Sequence, residues 1–264
     1  MYKRQTHNDG LAPYFRMELR KEVNKILNSD EIRKADGSKY NIYQDGLRIF
    51  TTLDPQMQAH AEQAMVEHMA KLQKKFDRTW KGMDPWNYKD YEKEPEENEV
   101  LIAAAQAGLV KDVRETPRYQ RMRKKHLEPI IRDISKDIDG FLIRDVDIDR
   151  MLSEIEEKGY LKDLEKRKYI GKNLARHYQK VMRGKKWDQL NERWEKFQKL
   201  VKVTFDKPVP MKVFAYNDQM EKQDTMSPLD SIRYHRMFLQ LGSVAVDPVT
   251  GHVCLLYTSP SPRD

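Results

Sequence analysis

The sequence predicts an α+β chain that is predominantly helical with short strands. Three observations predict it. Charged residues make up 34% of the 264 residues and apolar ones only 39%, below the roughly 45–50% of an average globular chain, a balance that favours long solvated helices over a thick core. Apolar residues recur at helical spacing from about 99 to 203. Strand-like runs are few and short, and turn residues bound each of them.

The elements follow in order. "GLAPYFRMELRKEVNKIL" (10–27) places Pro13 at a helix start and continues with helical periodicity. "KADGSKYNIYQDG" (34–46) is rich in turn formers, and "LRIFTTL" (47–53) alternates like a strand. Asp54-Pro55 then caps a helix expected over 55–77, with Met57, Ala61, Met65, Met69, Leu72 and Phe76 as its core-facing stripe. Residues 81–98 form a polar, proline-containing loop. In the helical middle, Gly159 is expected to end one helix, and Trp187, Leu190, Trp194, Phe197 and Leu200 share one side of another. "VPMKVFAYN" (209–217) returns to strand character. Ser227, Pro228 and Asp230 form a box-like start for a helix over 227–240, and "GSVAVDPVTGHV" (242–253) opens a hairpin.

Net charge is +7 and the isoelectric point about 9.2. Nucleic acid, a membrane surface or a cell-wall polymer all fit that charge as partners, and it selects none of them. The longest apolar run, 100–110, is shorter than the about 20 residues that a membrane span needs.

Both termini read as foreign. Residues 254–264, "CLLYTSPSPRD", translate a DNA that resembles a transposase sequencing adapter. Residues 1–5, "MYKRQ", translate the reverse complement of the bases that open it. On this reading the natural portion is about 6–253, its net charge is +5, and the single cysteine, Cys254, supports neither a thiol nucleophile nor a disulfide. The hairpin begun at 242 is then cut, although "VCLLYT" has enough β-propensity to supply a second strand.

Three stretches invite a functional reading. "DVDIDRMLSEIE" (145–156) has calcium-loop spacing, but Arg150 stands where such a loop turns on Gly, and Asp149 suits a helix cap better. "KRKYIGKNLARHYQKVMRGKKW" (166–187) mixes cations with Tyr169, Tyr178 and Trp187, a combination that binds phosphates and stacks bases; a solvated helix face is the stronger reading. His60 and His68 lie eight apart with no third ligand near in sequence. Phosphate-cradling, metal-protease and Ser-x-x-Lys motifs do not occur. The expected site list is therefore catalytic none, cofactor-binding none and metal none.

"HNDGLAPYFRMELRKEV" with "YQDGLRIFTTLDPQMQAHAEQAM", and later "PMKVFAYN" with "DTMSPLDSIRYHRMFLQLGSVAVDPVTGHV", resemble class A penicillin-binding proteins, in that family's order. The resemblance implies that 6–30 closes a glycosyltransferase domain and 31–110 is an inter-domain linker, with its strand 47–53 and helix 55–77. A charged helical insertion would occupy 111–205, and 206–253 would begin a penicillin-binding transpeptidase domain with its first hairpin. The parent would be a bifunctional enzyme that polymerises and cross-links peptidoglycan on the periplasmic side of the cytoplasmic membrane, held by an N-terminal anchor outside this chain. Lipid-linked disaccharide and stem peptides would bind the parent's other domains, and a divalent metal would serve its glycosyltransferase. The chain itself would need no cofactor and bind no nucleic acid; an envelope protein could dock at 111–200. The rival readings are a non-catalytic helical nucleic-acid binder that uses 166–187 and a helical adaptor that borrowed the linker.

Overall fold

A computed structural model describes residues 11–217, 219 and 221–259. Among them are ten helices and four strands: α1 Pro13–Asn28, α2 Pro55–Thr79, α3 Pro95–Glu115, α4 Pro117–His126, α5 Glu128–Lys136, α6 Asp145–Glu156, α7 Tyr160–Lys166, α8 Lys172–Arg183, α9 Trp187–Asp206, β1 Val209–Phe214, β2 Glu221–Met226, α10 Pro228–Arg236, β3 Leu241–Val246 and β4 Val253–Ser259. The fold is α+β and mostly helical, with two two-stranded sheets, β1-β2 and β3-β4. Proline opens α1, α2, α3, α4 and α10, a place where its missing N–H has no helical partner to lose. Side chains complete several of these starts. Asp54 accepts from the N–H groups of Gln56 and Met57 at 2.8 and 3.0 Å. Ser227 Oγ accepts from Asp230 N–H at 3.0 Å.

The chain forms two compact units. The first holds residues 11–85, the described part of 211–224, and 234–259. In it β3 pairs antiparallel with β4, Leu241 opposite Ser259 and Val246 opposite Val253, with an irregularity at Ala245/Val246. The connecting turn is fixed by Asp247, whose carboxylate accepts from Val249 N–H at 2.8 Å and Thr250 Oγ1 at 2.9 Å, while Gly251 takes φ +70°. Phe214, Phe238 and Tyr234 pack edge to face, with centroids 5.0 and 4.9 Å apart.

The buried side of α2 differs from the expected stripe. Gln58, Met69 and Gln73 are its buried residues, while Met57 and Leu72 are exposed. Both glutamines grip backbone. Gln58 Oε1 accepts from Leu256 N–H at 3.2 Å and its Nε2 donates to Leu256 O at 3.1 Å. Gln73 does the same for Leu239 N–H and Met237 O, each at 3.0 Å. A buried amide is stable only when paired, and here each is paired twice over.

Residues 47–53 are not a strand. The nearest backbone tie falls just past the run, Asp54 N–H to Cys254 O at 2.9 Å, with Thr52 Oγ1 donating to Val253 O at 2.7 Å. The alternation is present, but a strand needs a ladder and a buried face. Phe50 is 86% exposed, so no burial fixes a register. The second strand of the hairpin runs through Val253–Ser259, so "VCLLYT" takes that place as its β-propensity allows; of the stretches read as foreign, 1–5 and 254–264, residues 1–5 and 260–264 lie outside the described residues.

The second unit holds residues 86–210 and 225–233. One core runs through it, from Tyr119 on α4 to Phe205 on α9, with Leu229 and Ile232 of α10 packed against it. α9 contributes Trp187, Leu190, Trp194, Phe197, Val201 and Phe205. Leu200, expected in that row, is 38% exposed, because the row advances from 197 by four residues and not three. α6 ends at Glu156, and Gly159 (φ +100°) caps the start of α7 instead of ending a helix.

Candidate functional site

A polar cluster is built on α6. Residues at i and i+4 of a helix share a side, and i+2 lies nearly opposite. Asp145 and Asp149 accordingly face α4 and α3, while Asp147 faces α8. Asp145 accepts from Tyr119 Oη at 2.7 Å and Arg123 Nε at 2.5 Å. Asp149 pairs with Arg114 Nη1 at 2.6 Å, and the same guanidinium lies over the Trp194 ring at 5.6 Å. Asp147, fully buried, accepts from Tyr178 Oη at 2.7 Å and from Arg144 N–H at 2.8 Å. Arg150 Nη1 donates to the same tyrosine oxygen at 3.2 Å.

This geometry corrects the expected cap. Asp149 sits inside α6, and Arg144 precedes the helix, its N–H bonded by Asp147. The calcium-loop spacing fails for the same reason: a loop would gather its carboxylates round one point, whereas a helix sends these to three separate neighbours. Among the described residues no three His, Cys, Asp or Glu side chains converge as a metal site would require. His60 and His68 are both exposed on α2.

Burial dominates the electrostatics. It pushes the Tyr178 hydroxyl up to about 12, with the Arg150 hydrogen bond working against it and Asp147 adding to it. Tyr119 rises for the same reason, burial first and the Asp145 hydrogen bond second. These neutral phenols act as donors to carboxylates, which ties helices together. A raised folded pKa gives stability that is complete below the ordinary value of 10.0 and lost as pH climbs through about 12. The difference in 295 nm absorbance between the chain and its Tyr119→Phe/Tyr178→Phe variant isolates these two phenols among thirteen tyrosines; followed with helical circular dichroism from pH 9 upward, it should show them ionising only as the unit melts, and ionisation near 10.0 with helix intact would refute that assignment.

The basic, aromatic stretch 166–187 divides in the same way. Tyr178 and Trp187 are core residues at 0% and 8% exposure, and Tyr169 alone of the three aromatics is exposed, at 67%. Ala175, Tyr178 and Val181 form the inner side of α8, leaving its cations to solvent. Stacking of successive bases needs aromatic faces at the surface, and two of these three are spent on the core. The first unit has a cavity of about 450 Å³ lined by Leu11, Phe15, Leu19, Ile49 and Leu53 with Arg16 and Arg20 among its walls. No described helix is long and apolar enough to cross a membrane.

Residues 165–239 match the penicillin-binding protein middle domain. The matched stretch begins in the last turn of α7 and continues through α8, α9, β1, β2 and α10. It starts inside 111–205, the span expected as an insertion, so similarity to penicillin-binding proteins extends into the helical middle. Nothing among curated proteins or solved structures matches the chain.

Sequence reasoning missed Gln58, Gln73, Asp147 and Tyr119. The alternate aspartates of 145–149 held a signal, since side chains on opposite sides of a core helix cannot all face water.

Proposed function

We propose that this chain is the inter-domain part of a class A penicillin-binding protein and serves as a non-catalytic linker between a glycosyltransferase and a transpeptidase. The single observation that carries the reading is the middle-domain match over 165–239. It falls between and partly over the two stretches that resemble the family at 6–76 and 207–253. The parent would polymerise lipid-linked disaccharide and cross-link stem peptides in the bacterial cell envelope, on the periplasmic side of the cytoplasmic membrane, anchored by a helix outside this chain. Cross-linking would proceed through a serine acyl-enzyme, which a β-lactam also acylates. The linker's own chemistry is mechanical: the α6 network and the α9 row stiffen one unit, and the glutamines of α2 hold the other. The helical unit spaces the catalytic domains or docks an envelope protein over 111–200. Residues 1–5 and 254–264 derive, on this reading, from adapter DNA.

The test pairs two measurements. A longer assembled read should encode a glycosyltransferase upstream and, downstream, a second hairpin strand followed by a serine with lysine three residues on. The 264-residue chain, incubated with a fluorescent penicillin, should form no adduct. A stable adduct, or a read that lacks both domains, would overturn the proposal.

A further inference from the structure

Helix α3 carries the most apolar run of the chain, "VLIAAAQAGLV" over 100–110, and leaves most of it in solvent. Val100 is 69% exposed and Val110 48%, and Ala103, Ala104 and Ala107 are exposed with them. Within the run only Leu109 is buried, on the other side of the helix. The helix is firmly held at its start, where the buried Asn98 side chain donates to the carbonyls of Asp90 and Lys93 at 2.9 and 3.2 Å. The exposed face is therefore an ordered surface and not a frayed end. Val100, Ala103, Ala107 and Val110 follow the alternating three- and four-residue steps of a helix–helix seam.

The sequence of the run says what covers that seam. Its seam positions are mirrored about Ala105, Val100 by Val110 and Ala103 by Ala107, as is Leu101 by Leu109, whereas Ile102/Gly108 and Ala104/Gln106 are unlike pairs. A two-fold interface makes every contact reciprocal, residue i on j and j on i, and the mirrored seam adds like sizes at its layers, valine on valine and alanine on alanine. Charge agrees. Glu97 and Lys111 flank the seam at opposite ends, and both are exposed. Antiparallel pairing sets each Glu97 beside Lys111 of the other copy; parallel pairing would set like beside like. The competing contact of Lys111 with Glu115 is 3.8 Å and solvent-exposed, the weak kind of ion pair. Alanine at the central layers lets the helix axes come close.

We propose that α3 is a self-association helix, pairing antiparallel with α3 of a second copy of this chain about a two-fold axis near Ala105. This stands apart from the penicillin-binding protein reading and would survive its failure. One helix pair is a small interface, so the dimer is weak and reversible.

Sedimentation equilibrium of the whole chain over a concentration series should show monomer and dimer exchanging in the micromolar range. Ala107→Glu should abolish the dimer with helical circular dichroism unchanged. Lys111→Glu should weaken association at least several-fold, and adding Glu97→Lys in the same chain should restore it, a rescue that no folding defect can imitate. In a Cys254→Ser background, Val100→Cys and Val110→Cys proteins should oxidise to a disulfide-linked dimer when mixed and far less when alone. A monomer at every concentration, including one whose α3 face is taken by some other protein, overturns the proposal. So does a dimer indifferent to Ala107→Glu, or cross-linking of Val100→Cys with itself.

Discussion

Replacing Phe197 with alanine will destabilise the second unit by about 4 kcal/mol, the middle of the range for deleting a buried aromatic ring. Phe197 is 1% exposed and occupies the centre of an aromatic cluster. Its ring meets Tyr119 edge-on at 5.2 Å, Trp194 at 6.1 Å and His126 at 6.3 Å. Those neighbours sit on helices fixed elsewhere by hydrogen bonds and ion pairs, so they cannot collapse into the void and the cavity remains. Phe197→Leu should lose about half as much, since it refills most of the volume. Urea unfolding followed by tryptophan emission measures both, because Trp187 and Trp194 are 8% and 4% exposed in this core. A loss below about 1 kcal/mol for the alanine variant would mean that the cluster packs loosely.

Replacing Asp147 with alanine comes next, at about 3 kcal/mol. The wild-type carboxylate is fully buried and satisfies a tyrosine hydroxyl and a backbone N–H. Truncation leaves both donors without their acceptor, and an unmet buried donor costs more than a formed bond contributes. Its partner charge, Arg144, is 65% exposed and can return to water, which keeps the loss below that of a fully buried ion pair. Tyr178→Phe removes one donor and should cost about 1 kcal/mol. In the double variant the two losses should fall short of additive, because part of the Asp147 effect is the stranded Tyr178 hydroxyl. Strict additivity would show that the two groups do not act together. Asp147→Asn tests charge separately from shape: one amide oxygen still accepts from Tyr178, and the Arg144 attraction is lost.

Much of the helical half was legible because burial there follows period. Trp187, Leu190, Trp194 and Phe197 stand in a row that only a helix can align, and Ser227-Pro228-Asp230 marks a helix start by side-chain chemistry alone. What stayed hidden depends on partners distant in sequence. Asp147 meets Tyr178, which is 31 residues away, and Gln58 meets Leu256, 198 away; no local pattern distinguishes these polar residues from solvated ones. The misread strand at 47–53 has the opposite cause. Its alternation is local and sound, but pairing is a property of two strands, and here β4 pairs with β3 and bonds the backbone of Asp54, just past the run.

The grips of Gln58 and Gln73 have a consequence for how freely this sequence can drift. Beyond its own helix each amide meets main chain, at positions 237, 239 and 256, so it is blind to the identity of the residues that it holds there. Any amino acid except proline can donate the N–H required at 239 and 256. The helix therefore works as a generic socket for backbone, taking a turn at 237–239 and a strand at 256 whatever gene segment encoded them, and selection on the socket is uncoupled from selection on the plug.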